Sequence, residues 1–339
     1  MACGDLAVKF KVAIARFPNY GWECQECTDF LVRTTRAMDK DPRIEKVIPL
    51  RATGTPIPMM RNKAVLDARK QGAAFLLMVD ADMAPELYHP DAPLFWDTAW
   101  EFMMARETKR QERRDDIKSR TYRLCDEDEA VVLREIPPAT VSAPYCGPPP
   151  SELCYVFHWL NQESENPNPD WKLELVPRAM AAIMQGTQEV AAMATGLILY
   201  DMRVFDILPP PWFKYEYRDA TESEKVTTED VYQTRNASLL GLPQMVAWDC
   251  WAGHSKDKMV GKPRIVTRDQ VHESLKQAVL RGVDSNQRLV VLTEQVPEDA
   301  KSLGDVLASS PQMMEALMAA DWNPGDYFPD PHKKPETQG

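Results

Sequence analysis

The chain has 339 residues, 44% hydrophobic and 27% charged, which leaves room for one large α/β domain and an extension. Its formal charge of −11 argues against broad, nonspecific binding to nucleic acid. No apolar run approaches the roughly 20 residues that a membrane helix needs, and "MACGDLAVKFKVAIARF" lacks a secretory layout, so a cytoplasmic location is expected.

Taken in chain order, the first predicted strand covers residues 8–15 and ends at "RFPNYG", where Pro18 and Gly21 mark a turn. A helix over 27–39 and a strand over 46–51 follow. "MMRNKAVLDARKQG" reads as a helix with Met60, Ala64 and Ala68 on one face and Gly72 as its stop. Residues 73–79, "AAFLLMV", form a continuous apolar run, the pattern of a strand buried on both faces. Strand, helix, strand, helix, strand is the opening of a doubly wound sheet.

That run ends in "DADM". Ionised carboxylates are costly to bury, so Asp80 and Asp82 are expected where the strand leaves the sheet, at the edge where open α/β sheets bind ligands. Side chains at i and i+2 of an extended chain project to one side, which suits a hard divalent cation. Turn chemistry alone also accounts for such a triplet.

Beyond Asp82 the sequence predicts a loop, a long helix over 96–120, and an exposed Pro-rich connection that carries "DEDE" and one short strand near 139–143. The segments "SELCYVFHWL" and "WKLELVPRAM" read as strands of a second, antiparallel group. A strand over 195–200 runs into a short helix, "VTTEDVYQTRNASLLGLP" is a helix ending at Gly241, and "QMVAWDCWAGHSK" is a final strand. Residues 264–339 are expected to form a helical, acidic extension and a poorly ordered tail. The segment "KRQERRDDIKSR" is locally basic, but its interleaved acids favour a solvated helix with ion pairs along it. Seven cysteines argue for reduced thiols; "CQEC" has knuckle spacing, but Cys146 and Cys154 are too widely spaced to complete a zinc site.

Four pieces stand in order: "MRNKAVLDARKQGAAFLLMVDADM", "TGLILYDMRVFDIL", "TEDVYQTRNASLLGLP" and "WAGHSK". Together they resemble the inverting, nucleotide-sugar-dependent glycosyltransferases of the GT-A fold, family-2 type. The resemblance covers roughly residues 8–260. It implies a Rossmann-like mixed sheet flanked by helices within residues 1–263, with an insertion over about 105–138. It further implies a nucleoside-diphosphate sugar donor, a UDP-sugar by preference, and Mn²⁺ or Mg²⁺ held by Asp80, Asp82 and His254. Such a cation neutralises charge on the departing phosphate.

On the same footing Ala15, Arg16, Phe17, Arg61, Asn62, Asp80, Ala81 and Lys256 are expected at the donor, and Thr195, Gly196, Trp248 and Trp251 on the sugar and acceptor side. Asp230 is the expected general base and Glu229 the residue that orients the acceptor hydroxyl, although "TTED" is also close to a helix capping box. The absence of membrane helices and of a Gln-x-x-Arg-Trp signature favours a single transfer over polymerisation. A hydroxymethylated DNA base is one acceptor to consider. Two other readings compete: a nucleotidyltransferase, which would want a glycine-rich loop where "ARFPNYG" stands, and a noncatalytic sugar-nucleotide binder.

Overall fold

The computed structural model describes residues 8–17, 23–52, 56–85, 93–121, 123–147, 153–159, 173–217, 221, 225–255 and 259–260. The expected extension over 264–339 and Lys256 lie outside them.

The chain begins as the apolar patterning predicts: β1 (Phe10–Phe17), α1 (Gln25–Lys40), β2 (Ile44–Arg51), α2 (Ile57–Lys70) and β3 (Phe75–Asp80). Gly72 ends α2 with φ +69°, a backbone state that costs glycine little. β1 pairs in parallel with both β2 and β3. Next come β4 (Met83–Pro85), α3 (Phe95–Thr121) and α4 (Asp126–Glu135), then β5 (Thr140–Ser142), β6 (Val156–Trp159), β7 (Leu173–Leu175), α5 (Arg178–Ala181), β8 (Thr187–Val190) and β9 (Ala192–Met193). The chain continues through β10 (Leu197–Asp201), α6 (Val204–Ile207), β11 (Glu216–Tyr217), β12 (Lys225–Thr227), α7 (Glu229–Leu239), β13 (Gln244–Ala247), β14 (Ala252–Ser255) and β15 (Met259–Val260).

The main sheet has seven strands in the order β2-β1-β3-β10-β5-β13-β8. It is mixed, because β10 runs antiparallel to both β3 and β5 while β13 is parallel to β5. Alternate residues of β3 feed opposite faces. Leu76 and Met78 pack with Met60, Ala64 and Ala68 of α2, while Phe75, Leu77 and Val79 pack with Phe30 of α1 and Trp96 and Trp100 of α3. Burial on both faces explains why the strand reads as one unbroken apolar run. The expected antiparallel second group is the three-stranded sheet β7-β6-β9.

Three expectations are corrected. "DEDE" is the first turn of α4, where acidic side chains complement the helix dipole, and Cys125 with Asp128 forms its capping box. The connection over 139–146 is buried, because β5 is an interior strand of the main sheet. The final strand is two strands. The chain turns after Ala247, and β14 leaves the main sheet to pair with β4 and β15. Among the described residues no helix is long and apolar enough to cross a membrane.

Candidate active site

The turn that follows β3 is clamped by backbone from four segments. Asp80 N donates to Gly196 O (2.8 Å), Ala81 N to Phe17 O (3.2 Å), Cys24 N to Ala81 O (2.9 Å) and Ser255 N to Asp82 O (2.7 Å). The Cys24 thiol adds a bond to Met83 O (3.1 Å). Residues 81 and 82 lie in a turn rather than an extended strand, so the two carboxylates take different partners.

Asp80 faces Arg61. The guanidinium donates through Nη2 to both Asp80 oxygens (3.1 and 2.9 Å) and through Nη1 to Thr195 O (3.0 Å), and its Nε lies 3.5 Å from Glu229 Oε1. It is 2% exposed and sits over the rings of Phe17 and Phe213. One buried cation therefore joins α2, the end of β3, the entry to β10 and the start of α7. Burial, with Asp82, Glu229 and Asp230 close by, pushes the Asp80 carboxyl up to about 7 against the pull of Arg61. Burial and Asp230 likewise raise Glu229, again against Arg61. Three carboxylates, Asp80, Glu229 and Asp230, thus gather around one guanidinium.

Asp82 faces His254. The pairing of β14 with β4 sets His254 opposite Met83, and His254 Nε2 lies 3.3 Å from Asp82 Oδ2. The other ring nitrogen, Nδ1, is 2.9 Å from the Cys146 carbonyl, which can only accept, so Nδ1 carries a proton. In the neutral ring Nε2 then presents a lone pair to a carboxylate. Two acceptors at that distance are compatible only with a proton or a cation between them. Imidazole and carboxylate oxygen are donors that suit Mn²⁺, and the neighbouring carboxylates add favourable field, so the residues fit a divalent ion. Among the described residues no group of three or more His, Cys, Asp or Glu is arranged as a complete metal cage. An ion held by this pair would take the rest of its coordination from substrate phosphates or water.

Glu229 and Asp230 are the carboxylates in the first turn of α7. Thr234 ties the helix to β9 by accepting from Met193 N (3.1 Å) and lying 3.0 Å from Met193 O. The N-cap is Thr228, without a side-chain cap bond, so the Thr227–Asp230 capping box does not form. Asp230 Oδ1 instead accepts from the Thr228 hydroxyl and from Val231 N (2.8 Å).

Other expected residues are placed elsewhere. Both ends of the Asn62 amide are engaged: Nδ2 donates to Pro58 O and Phe213 O, and Oδ1 accepts from Trp212 N and Phe213 N. It staples the 212–213 segment to α2 and retains nothing for a nucleotide. Ala15, Phe17, Trp248 and Trp251 are core residues, with no surface to offer a base or an acceptor. Trp212 and Phe213 are buried as well. Arg16 is half-exposed beside Glu23, and Ala81 is buried within the clamped turn. Arginines of the basic helix segment are paired within the protein: Arg110 with Asp201, Arg113 with Glu135 and Arg114 with Glu129.

The structure adds one residue that sequence reasoning missed. The Tyr145 hydroxyl accepts from Gly196 N (3.2 Å), and its ring stands edge-on to His254 at 5.2 Å. Burial holds its phenol well above the ordinary range, with Asp230, Asp80 and Asp82 adding to the effect. The signal was Gly196. A Cβ there would meet the Tyr145 hydroxyl and the Met83 sulfur, each at 2.8 Å, so any larger residue would have to displace those side chains.

No family model matches the sequence, and no curated protein matches it. Among solved structures it is similar to A197 from STIV, at 14% identity and a TM-score of 0.38, over 76% of this chain and 97% of that one. It is similar also to HddC from Yersinia pseudotuberculosis, at 9% identity and a TM-score of 0.26, over 72% of this chain and 93% of that one. The same HddC complexed with GMP-PN gives 9% identity and a TM-score of 0.26, over 79% and 99%. Likeness this slight carries no argument, and the functional reading rests on the residues above.

Proposed function

We propose that the chain is an inverting, metal-dependent glycosyltransferase that makes a single transfer from a nucleoside-diphosphate sugar to a hydroxyl acceptor. The observation that carries this reading is convergence. Arg61, the D-x-D carboxylates, the Glu229–Asp230 pair and His254 are spread over nearly two hundred residues of sequence, yet meet at the carboxyl end of β3.

Asp82 and His254 would hold the divalent cation, whose chemistry is to neutralise charge on the departing diphosphate. Asp230 would take the proton from the acceptor oxygen as it attacks the anomeric carbon opposite the leaving group. Glu229 and Asp80 would remain engaged with Arg61, which keeps the base helix and the D-x-D turn in register. A UDP-sugar is the preferred donor. Duplex DNA is a poor acceptor on this reading, because the arginines that would track its backbone are already paired within the protein.

The test screens nucleoside-diphosphate sugars by thermal shift with Mn²⁺ and with EDTA. A true donor should raise Tm only with the metal, through linkage. Asp82→Ala and His254→Ala should each remove the shift while keeping the fold. A donor-induced shift that survives EDTA would reject the metal-dependent reading.

A further inference from the structure

Cys146 and Cys154 have no role in the proposed chemistry, and the fold brings them face to face. They form an isolated antiparallel bridge between the segment after β5 and the segment before β6. Gly147 N donates to Leu153 O (2.8 Å), and Tyr155 N donates to Tyr145 O (3.3 Å). Those bonds flank the cysteines, which therefore occupy a non-hydrogen-bonded pair, the register in which opposed Cα atoms approach to roughly 4.5 Å. A disulfide accepts Cα separations of roughly 4.4–6.8 Å. Both residues are buried, and the Cys146 thiol adds to burial in raising the pKa of the Cys154 thiol beside it.

The other described thiols are committed differently. Cys24 bonds Met83 O, Cys27 points at Asp80 O and Cys250 at Pro93 O, while Cys125 is exposed. The Cys146 carbonyl is also the acceptor that fixes the His254 ring.

We propose that Cys146 and Cys154 are a redox-modifiable dithiol that closes to a cross-strand disulfide beside the site. The co-reactant is a small disulfide such as oxidised glutathione. One cysteine thiolate attacks it and releases a glutathione thiolate; the second cysteine thiolate then displaces the other glutathione. The protein gives up two protons and two electrons, and two molecules of reduced glutathione form. Burial disfavours the thiolate of Cys154, so the exchange runs through opening of the bridge, which among the described residues is flanked by two backbone bonds. Once closed, the link fixes the segment after β5 that carries the His254 acceptor.

The experiment incubates the full chain with oxidised glutathione, natively and in urea, then blocks free thiols and maps peptides without reduction. Trypsin with a glutamyl endopeptidase cuts after Glu152, between the two cysteines. In the native protein the Cys146–Cys154 linked peptide should exceed the Cys24–Cys27 product several-fold, while Cys125 carries glutathione. In urea that preference should vanish, because Cys24 and Cys27 are closer in sequence. The Cys154→Ser variant should leave Cys146 without an intramolecular link. Recovery of Cys146 and Cys154 as blocked free thiols while Cys125 is glutathionylated would overturn the proposal, as would the same product ratio in native and unfolded protein. Neither result depends on the glycosyltransferase reading.

Discussion

Arg61→Ala isolates the contribution of the buried guanidinium. It deletes a cation, itself 2% exposed, that bonds two Asp80 oxygens and the Thr195 carbonyl and pairs with Glu229. Removing one partner of a buried ion pair costs about 3–5 kcal/mol, chiefly because the remaining charge is left uncompensated. The sign of the pH dependence separates this from lost packing. Asp80 in the fold is already raised to about 7 from 3.8, so its stability contribution is full below the unfolded value and falls as pH rises toward 7. Without Arg61 its folded pKa rises further, and the additional loss opens above about pH 7, where wild type ionises and the variant resists. Urea unfolding at pH 5 and pH 8 should give the larger deficit at pH 8. Arg61→Lys should recover part of it, since an ammonium keeps the charge but cannot span three acceptors. A deficit under about 1 kcal/mol, or one equal at both pH values, would refute the electrostatic account.

Asp230→Asn should lower transfer by about two to four orders of magnitude while costing about 1 kcal/mol or less in stability, as read by initial rates and thermal melts. Asp41 is held down to about 2 by bonds from Arg43, with help from Trp100 Nε1 at 2.7 Å. Its contribution is therefore present above about pH 3.8 and lost as pH falls through about 2; Asp41→Asn should cost about 1–2 kcal/mol at neutral pH, discounted for the half-exposed Arg43, and flatten acid unfolding. Reversing Arg113 and Arg114 to Glu should loosen α4, seen as faster amide exchange over Asp126–Glu135, because both hold carboxylates of that helix. It should leave donor binding unchanged and produce no salt-sensitive DNA gel shift.

What was legible in the sequence is what local pattern encodes. The apolar run of β3 and the stop at Gly72 depend on neighbours in sequence, and the strands and helix stop there came out where the pattern put them. β14 was missed because the turn at Trp248 and Trp251 is made by buried aromatics rather than by glycine or proline. Asn62 read as a nucleotide contact because its partners, Pro58 and the 212–213 backbone, include a segment some 150 residues away. The tryptophans read as surface because composition cannot say which face of a turn packs inward. Gly196 belongs to a motif legible in the sequence, but the close approach of Tyr145 and Met83 to it is a tertiary fact.

The D-x-D turn shows how the same letters divide their work. In an extended chain Asp80 and Asp82 would project together, and a cation would take both. The backbone bonds from Gly196, Phe17, Cys24 and Ser255 instead hold residues 81 and 82 in a turn. Asp80 is thereby committed to Arg61, whose guanidinium also reaches Thr195 and Glu229, so its charge is spent on register between β3 and α7. Asp82 is left against a histidine whose tautomer is set by the Cys146 carbonyl. A proton between them would serve the protein alone. On the proposed reading a divalent cation would serve a diphosphate as well, and the three carboxylates around Arg61 would favour the greater charge.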